Sequence, residues 1–391
     1  MRFSDIGPKA PLIAVFVGLL TATPVVAADM EWRGFLTTGA SFTDSKTSYQ
    51  GRITRKARVS EETYLGLNLS KELSPEWRVA AQILARGNQA DSAAKVDWAF
   101  VTYEPNSTWN LSLGRQKIPM WMVSAYIDVG RAYPWVIPPE EVYSLFNLKA
   151  FSGAAFAYSL PFGSSTLTLR PYGGDVIIES APNSPTRDSK IRGTNMFGGS
   201  ADWTLDKTTF RLAYNRALWN LNLGTNANYG TRKIEIFTTG IKSDWQGWWF
   251  SAEYAAIRDN SQDDYEREAD ELNAEAGAST DPSVISALRT QAFNYRVHVG
   301  GSSGYYATLG KQIESWLLHL TYAEVNRKSR PDISRDQQSL ALGLNYDVNV
   351  DSVIKLEGKK IFLPLKSQGL FDTVPSDREA MVYRIGYSMI F

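Results

Sequence analysis

Catalytic and metal-binding side chains are scarce in this sequence. Its 391 residues include two histidines, His298 and His319, and no cysteine. A centre built from histidine and cysteine ligands is therefore impossible, and no cofactor is expected. His319 lies in HLTYAE, where alternation turns it away from its apolar neighbours, so an inward-facing ring explains it better than a general base. Carboxylates concentrate in DNSQDDYEREADELNAEAGASTDPSVISALRTQ, residues 259–291. That stretch lacks the glycine and ligand spacing of a calcium-binding helix-loop-helix loop. It reads as a solvated acidic excursion, two short helices separated by AGAST, in preference to a divalent-ion patch.

Lysine plus arginine number 41 and aspartate plus glutamate number 41, so the formal charge is zero. A nucleic-acid partner would call for a basic excess, so none is expected. Near the start, APLIAVFVGLL (residues 10–20) follows Arg2 and Lys9 and precedes TATPVVAAD. A basic beginning, an apolar core too short to span a bilayer and small residues at 25–28 predict a secretory signal peptide over residues 1–28, cleaved after Ala27 or Ala28. The exported part, residues 29–391, has no cysteine for a disulfide framework and must be held by one large continuous structure.

The elements that would carry such a structure are legible as alternation. WRVAAQILAR (77–86) puts Trp77, Val79, Ala81, Ile83 and Ala85 on one face and Arg78, Gln82 and Arg86 on the other. SLALGLNYD (339–347), TFRLAYN (209–215), TLTLRPY (166–172) and WWFSAEYAA (248–256) read the same way. The last nine residues, YRIGYSMIF, keep Tyr383, Ile385, Tyr387, Met389 and Phe391 on one parity. Period two over many segments of about ten residues, bounded by turn residues, is the pattern of a transmembrane β-barrel. Aromatic residues gather at segment ends, where a half-wet ring suits a membrane interface. A soluble sandwich shares the alternation but not that placement.

Counting segments gives sixteen antiparallel strands, with parses into 14 or 18 also open: 31–41, 59–71, 76–86, 96–104, 108–117, 149–159, 165–173, 192–204, 207–219, 231–243, 246–258, 302–313, 315–326, 337–347, 351–361 and 379–391. Short connections such as LDK (205–207) and NVDS (349–352) alternate with long ones near 42–58, 118–148, 174–192, 258–301 and 362–377. Short turns on one side and long loops on the other match the periplasmic and extracellular ends of an outer-membrane barrel. A closed sixteen-strand ring leaves a lumen too wide for wall side chains to fill.

The connection after the fifth strand, 118–148, is too long for a structureless link. It carries Met120, Trp121, Met122, Tyr126, Tyr133, Trp135, Val136 and Ile137, stiffened by Pro119, Pro134, Pro138 and Pro139. An apolar segment of that kind must pack on something, and the inner wall is available. Pro139 is placed to open a short helix with Glu140 and Glu141 in its first turn, where the helix dipole favours carboxylates.

The run LGRQKIPMWMVSAYIDVGRAYPWVIPPEEVYS (113–144), together with the aromatic closing strand, resembles the trimeric porins of Gram-negative bacteria, especially a gammaproteobacterial porin-like family. The resemblance implies an all-β outer-membrane barrel whose third extracellular loop folds inward to form a constriction. It implies passive diffusion of small hydrophilic solutes and ions, a homotrimer, contact with lipid and lipopolysaccharide, and recognition of the terminal Phe391 by the barrel-assembly machinery. The acidic loop motif of enteric general porins is absent, so ion preference does not carry over.

In that frame Asp128, Glu140 and Glu141 would be the loop's acidic side of the constriction, facing a basic wall drawn from Arg86, Arg115, Lys117, Arg170, Arg211, Lys355, Lys359 and Arg384. Opposed charges across a narrow opening set up a transverse field. Parity supports Arg86, Arg170, Arg211, Lys355, Lys359 and Arg384 as inward, whereas Arg115 shares the parity of Leu113 and needs a bulge or a strand end. Each charge can equally be a solvated wall residue without a selective role. Arg131 either joins the constriction or braces the loop by pairing with Glu140 or Glu141. Trp121, Tyr126, Tyr133 and Trp135 either stack a sugar ring or, more simply, hold the loop to the wall. A substrate-specific channel, for an oligosaccharide or another nutrient, and an outer-membrane enzyme or adhesin stay open as other readings.

Overall fold

The computed structural model describes residues 30–59, 62–87, 94–146, 149–179, 190–222, 228–260, 262–297, 301–330 and 333–391. The expected signal peptide and His298 lie outside these residues. Sixteen strands make the wall: β1 (Glu31–Thr43), β2 (Tyr64–Ser74), β3 (Trp77–Arg86), β4 (Ala94–Tyr103), β5 (Trp109–Lys117), β6 (Ala150–Phe162), β7 (Ser165–Glu179) and β8 (Lys190–Leu205), then β9 (Thr208–Asn222), β10 (Asn228–Trp245), β11 (Trp248–Asp259), β12 (Ser302–Ile313), β13 (Trp316–Arg330), β14 (Gln337–Asp347), β15 (Ser352–Phe362) and β16 (Glu379–Ile390). A two-residue piece, Ile333–Ser334, pairs with the end of β13, and Ser334 makes one parallel bridge to Ser367.

Each wall strand pairs antiparallel with the next, and β16 returns to β1 with Ile390 opposite Phe35 and Val382 opposite Thr43. The ring is closed and exposes no free edge. Every strand expected from alternation is present. Several run longer than expected, such as β7 and β10, because backbone pairing continues past the point where outward side chains turn polar. Residues 288–297 end a helix, and Ser302–Ile313 form one strand, β12.

Parity explains the outer surface. Leu212, Leu309, Leu318, Leu320, Leu342, Leu356 and Ile385 all point outward and are exposed. A belt of this size is not stable against water and calls for lipid. At the short-turn ends the belt ends in rings: Trp77 packs on Tyr103 with centroids 4.7 Å apart, Trp203 on Phe210 at 5.6 Å and Trp316 on Tyr346 at 4.6 Å. The turns themselves are tight. Between β10 and β11, Gln246 (φ 48°) and Gly247 (φ 75°) both adopt the left-handed geometry that a two-residue hairpin needs.

The interior is not simply polar and hollow. Trp121, Trp135, Val142 and Leu145 of the connection after β5 pack with inward wall residues Ile236, Ala255, Tyr306, Ala323, Val325, Ile361 and Val382 in one buried cluster. Two further connections join it. Tyr49 and Ile53, between β1 and β2, meet Leu370 and Phe371, between β15 and β16, with the Tyr49 and Phe371 rings 5.0 Å apart. The long connection between β11 and β12 forms a helical hairpin, α2 (Gln262–Ala278) and α3 (Pro282–Val297). Its break falls after Ala278, later than the AGAST string suggested, and Pro282 opens the second helix.

Candidate functional site

The inner loop between β5 and β6 crosses the lumen and is fixed at many points. Its one α-helical turn, α1 (Glu140–Tyr143), starts after Pro139 as its sequence predicts. The Trp135 indole N–H lies 3.1 Å from the Thr308 hydroxyl and 3.0 Å from that of Thr321, and its ring meets Trp249 and Tyr306 edge-on at 5.3 Å each. The Lys355 ammonium donates to the main-chain oxygens of Tyr133 at 2.5 Å and Trp135 at 2.8 Å, and also to that of Gly130. Its three protons are thus all used inside the protein. Asn345 donates to the Pro134 oxygen at 2.8 Å, and Thr238 to the Met120 oxygen at 2.7 Å. Two glycines make these approaches possible: a Cβ on Gly304 would run into the Glu141 main-chain oxygen, and one on Gly130 into the Thr37 and Ser388 hydroxyls.

The loop carboxylates meet bases directly. Glu140 receives Lys359 at 2.7 Å and the Arg384 guanidinium, and Glu141 receives Lys359 at 2.9 Å. Gln337 and Ser339 each donate to Glu141 at 2.7 Å, and Arg384 reaches Glu357 at 2.7 Å. These groups are buried, Arg384 being 4% and Glu141 0% exposed. Burial alone would raise the Glu140 carboxyl, but Arg384 and Lys359 hold it below the usual carboxylate range. They do not stand across open water from one another, so the transverse field expected from Glu140 and Glu141 is not built. The arrangement is a lock, with two cations satisfying three carboxylates.

Asp128 makes a second anchor on the opposite wall. It accepts from Arg86 and, at 2.6 Å, from Lys117, which also reaches Asp97 at 2.6 Å. Burial would push the Asp128 carboxyl up; Lys149, Lys117 and Arg86 override this and hold it well below its ordinary value. Arg115 donates Nε–H to the Asp97 main-chain oxygen at 2.9 Å, beside a bulge in β4; its own strand, β5, runs on to Lys117 in unbroken register, so neither the bulge nor the strand end that an inward Arg115 required is present there. Arg131 pairs with Asp347 at 3.2 Å, not with Glu140 or Glu141. Arg170 and Arg211 share Asp202, the latter through bonds of 2.6 and 2.8 Å, and Arg211 also reaches the Trp121 oxygen.

Of the loop aromatics, Trp121, Tyr133 and Trp135 are buried against the wall, while Tyr126 is half-buried beside the same cluster. The Lys242 ammonium sits 3.2 Å from the Tyr126 hydroxyl. Tyr126 and Asp128, two residues apart, therefore touch β10 and β3 respectively. The rim of residues 125–129 is thereby tied to both strands, which bound the arc of wall from β3 to β10. His319 is buried at 1% exposure beneath the loop and does not line open water. The letters GGSSG at 300–304 match a nucleophile-elbow string, but Ser302 starts β12 and pairs within the sheet, not on a strand-to-helix turn.

A sequence profile of the Gram-negative porins matches residues 14–357. The chain belongs to the Gram-negative porin family. No curated protein sequence matches the chain. Solved structures agree in fold. The outer membrane channel DcaP of Acinetobacter baumannii has 12% identity and a TM-score of 0.56 over 93% of this chain and 97% of that one. The anion-selective porin from Comamonas acidovorans has 10% identity and a TM-score of 0.55 over 93% and 99%. The trimer form of OmpT from Vibrio cholerae, folded in vitro, gives the same identity, TM-score and coverages. The porin is a passive channel of the outer membrane, and its apolar belt and closed ring are the parts that place it there.

Several residues of this porin's lumen escape sequence reasoning. Lys242 and Asp202 stand at inward parity in TTGIKSDW and SADWT, a signal that alternation contains. Glu253 likewise alternates with Ala252 and Tyr254; it accepts from the Met122 N–H at 3.0 Å and the Tyr143 hydroxyl at 2.7 Å. Lys149 lies at the end of the loop, before β6, where no strand parity marks it. It is open to lumen water yet enclosed by protein, and Arg86 first, then that confinement, pulls its ammonium down to about 8.

Proposed function

We propose that this porin admits small hydrophilic solutes and ions by size, at the gap between the rim of residues 125–129 and the wall from β3 to β10. The observation that carries this is the pair of contacts Tyr126–Lys242 and Asp128–Arg86, which ties the rim to β10 at one end and to β3 at the other. A rim held at both ends has a fixed aperture. Trp135, Lys355 and the Glu140–Lys359 lock fasten the loop behind it to the opposite wall. Channel action needs no catalytic group, and the burial of three of the four loop aromatics favours a general filter over a sugar-stacking track.

In this reading the long connections and the α2–α3 hairpin face outward from the cell, and the short turns face the periplasm. The chain is exported by its signal peptide, contacts lipopolysaccharide with its outer rim, and assembles as a homotrimer, as the trimer form of the Vibrio cholerae relative supports. Its terminal strand is the element offered to the assembly machinery. Liposome swelling with a series of sugars tests the filter: rates should fall steeply with size. Planar bilayers that show no conducting steps would leave only an enzyme or adhesin reading.

A further inference from the structure

The arc facing the rim carries more bases than acids, and its most exposed charges are bases. Six bases belong to it: Arg86, Lys117, Lys149, Arg170, Arg211 and Lys242. The acids they meet are Asp97 and Asp202 of the wall and Asp128 of the rim, and Glu253 stands on the next strand, β11. Asp128 and Asp202 are more deeply buried than the arginines they meet, whereas Asp97 and Lys117 are covered alike, at 13% and 10% side-chain exposure. Side-chain exposure is 6% for Asp128 and 7% for Asp202, against 23% for Arg86 and 36% for Arg170. Lys149 is exposed and Lys242 half-exposed. Glu253 is spent on the Met122 N–H and the Tyr143 hydroxyl, on the loop side, at 3% exposure.

From this we infer that the constriction selects for small anions, in particular solutes carrying carboxylate or phosphate groups. The inference rests on the channel reading above and adds its charge preference. Bases outnumber acids in the arc, so a net positive charge remains on the wall after Asp97, Asp128 and Asp202 have taken their ion pairs. An ion in the gap therefore meets an excess of ammonium and guanidinium groups over carboxylates. Low-dielectric walls keep that field from being screened as it would be in bulk, and basic rings are the device by which anion pores discriminate. The two basic groups also form a relay. Arg86 ends β3 on the long-loop side and Lys149 lies in the loop just before β6, whereas Arg170, Arg211 and Lys242 stand in the short-turn half of β7, β9 and β10. An anion leaving the first group is received by the second. The acidic α2 helix lies outside the wall, where physiological salt screens charge over about 8 Å.

The test is the reversal potential of the purified full chain in planar bilayers under a potassium chloride gradient. Chloride should permeate severalfold better than potassium. Liposomes should swell faster in glutamate than in lysine, two solutes of similar size and opposite charge. Lys149→Gln, Arg170→Gln and Lys242→Gln should each lower the chloride-to-potassium ratio, and the triple variant should bring it near one. Potassium preference or no preference in the wild type overturns the inference without any variant, and so does a triple variant with an unchanged ratio. Absence of conducting steps would overturn the channel reading instead, so the two failures are distinguishable.

Discussion

Lys359 reaches Glu140 at 2.7 Å inside the barrel, across 219 residues of sequence. With Arg384, Glu141 and Glu357 it forms a buried lock that fixes the inner loop to β15 and β16. Replacing Glu140 by Gln removes the loop's tie to Arg384 as an ion pair and leaves that cation with Glu357 alone. Removing one partner of a buried pair costs about 3–5 kcal/mol, so E140Q should lower the unfolding temperature and add current noise. The sign of the reversal potential should not change. A large shift toward anions on this single change would return Glu140 to the pore wall.

Trp135 is the second fastening. Trp135→Ala removes hydrogen bonds to Thr308 and Thr321 and leaves a cavity against Trp249 and Tyr306. Such truncations cost roughly 3–5 kcal/mol. The variant should insert but show a larger, noisier single-channel conductance, since the loop loses its central anchor. Unaltered conductance would mean that Lys355 and the Glu140 lock hold the loop without it.

Lys149 gives the channel a pH dependence. Its ammonium, faced by Arg86 and Lys117 as cations and by Asp97 and Asp128 as anions, titrates near 8. Below that pH it is charged and contributes fully to the field; as pH rises through 8 the charge is lost. Anion preference should therefore be greatest at pH 6 to 7 on the scale of ordinary buffers and decline toward pH 9. Lys149→Gln should be flat over the same range, measured as chloride-to-potassium permeability.

Phe391 closes the ring. Its N–H donates to the Gly34 oxygen at 2.9 Å, its own oxygen accepts from the Gly34 N–H at 2.6 Å, and its ring lies where a Cβ on Gly34 would be. Deletion of Phe391 should reduce the yield of heat-resistant protein in the outer membrane, while the channels that do insert keep their conductance. Full yield from the truncated chain would remove the terminal residue from the assembly step.

Much of the wall can be read from the chain alone, because strand parity is a local property. Arg86, Arg170, Arg211, Lys355, Lys359 and Arg384 were inward by their neighbours and are inward in the fold. Lys149 was invisible because it sits between elements. Lys242 and Asp202 carried the same parity signal as the rest, but nothing local separates a wall charge that faces water from one that faces protein.

That separation is the division between sequence and structure here. The sequence by itself determined a transmembrane barrel, with sixteen strands as the leading count beside 14 and 18, its long and short ends and the one loop rich enough in apolar residues to fold inward, since these follow from period, length and composition. Only the tertiary structure decided which charges remain at the aperture. Glu140, Glu141, Lys355, Lys359 and Arg384 are consumed where the loop meets the wall. Arg170, Lys149 and Lys242 keep their access to water. Neutralisation depends on through-space partners hundreds of residues apart, and no local pattern records them.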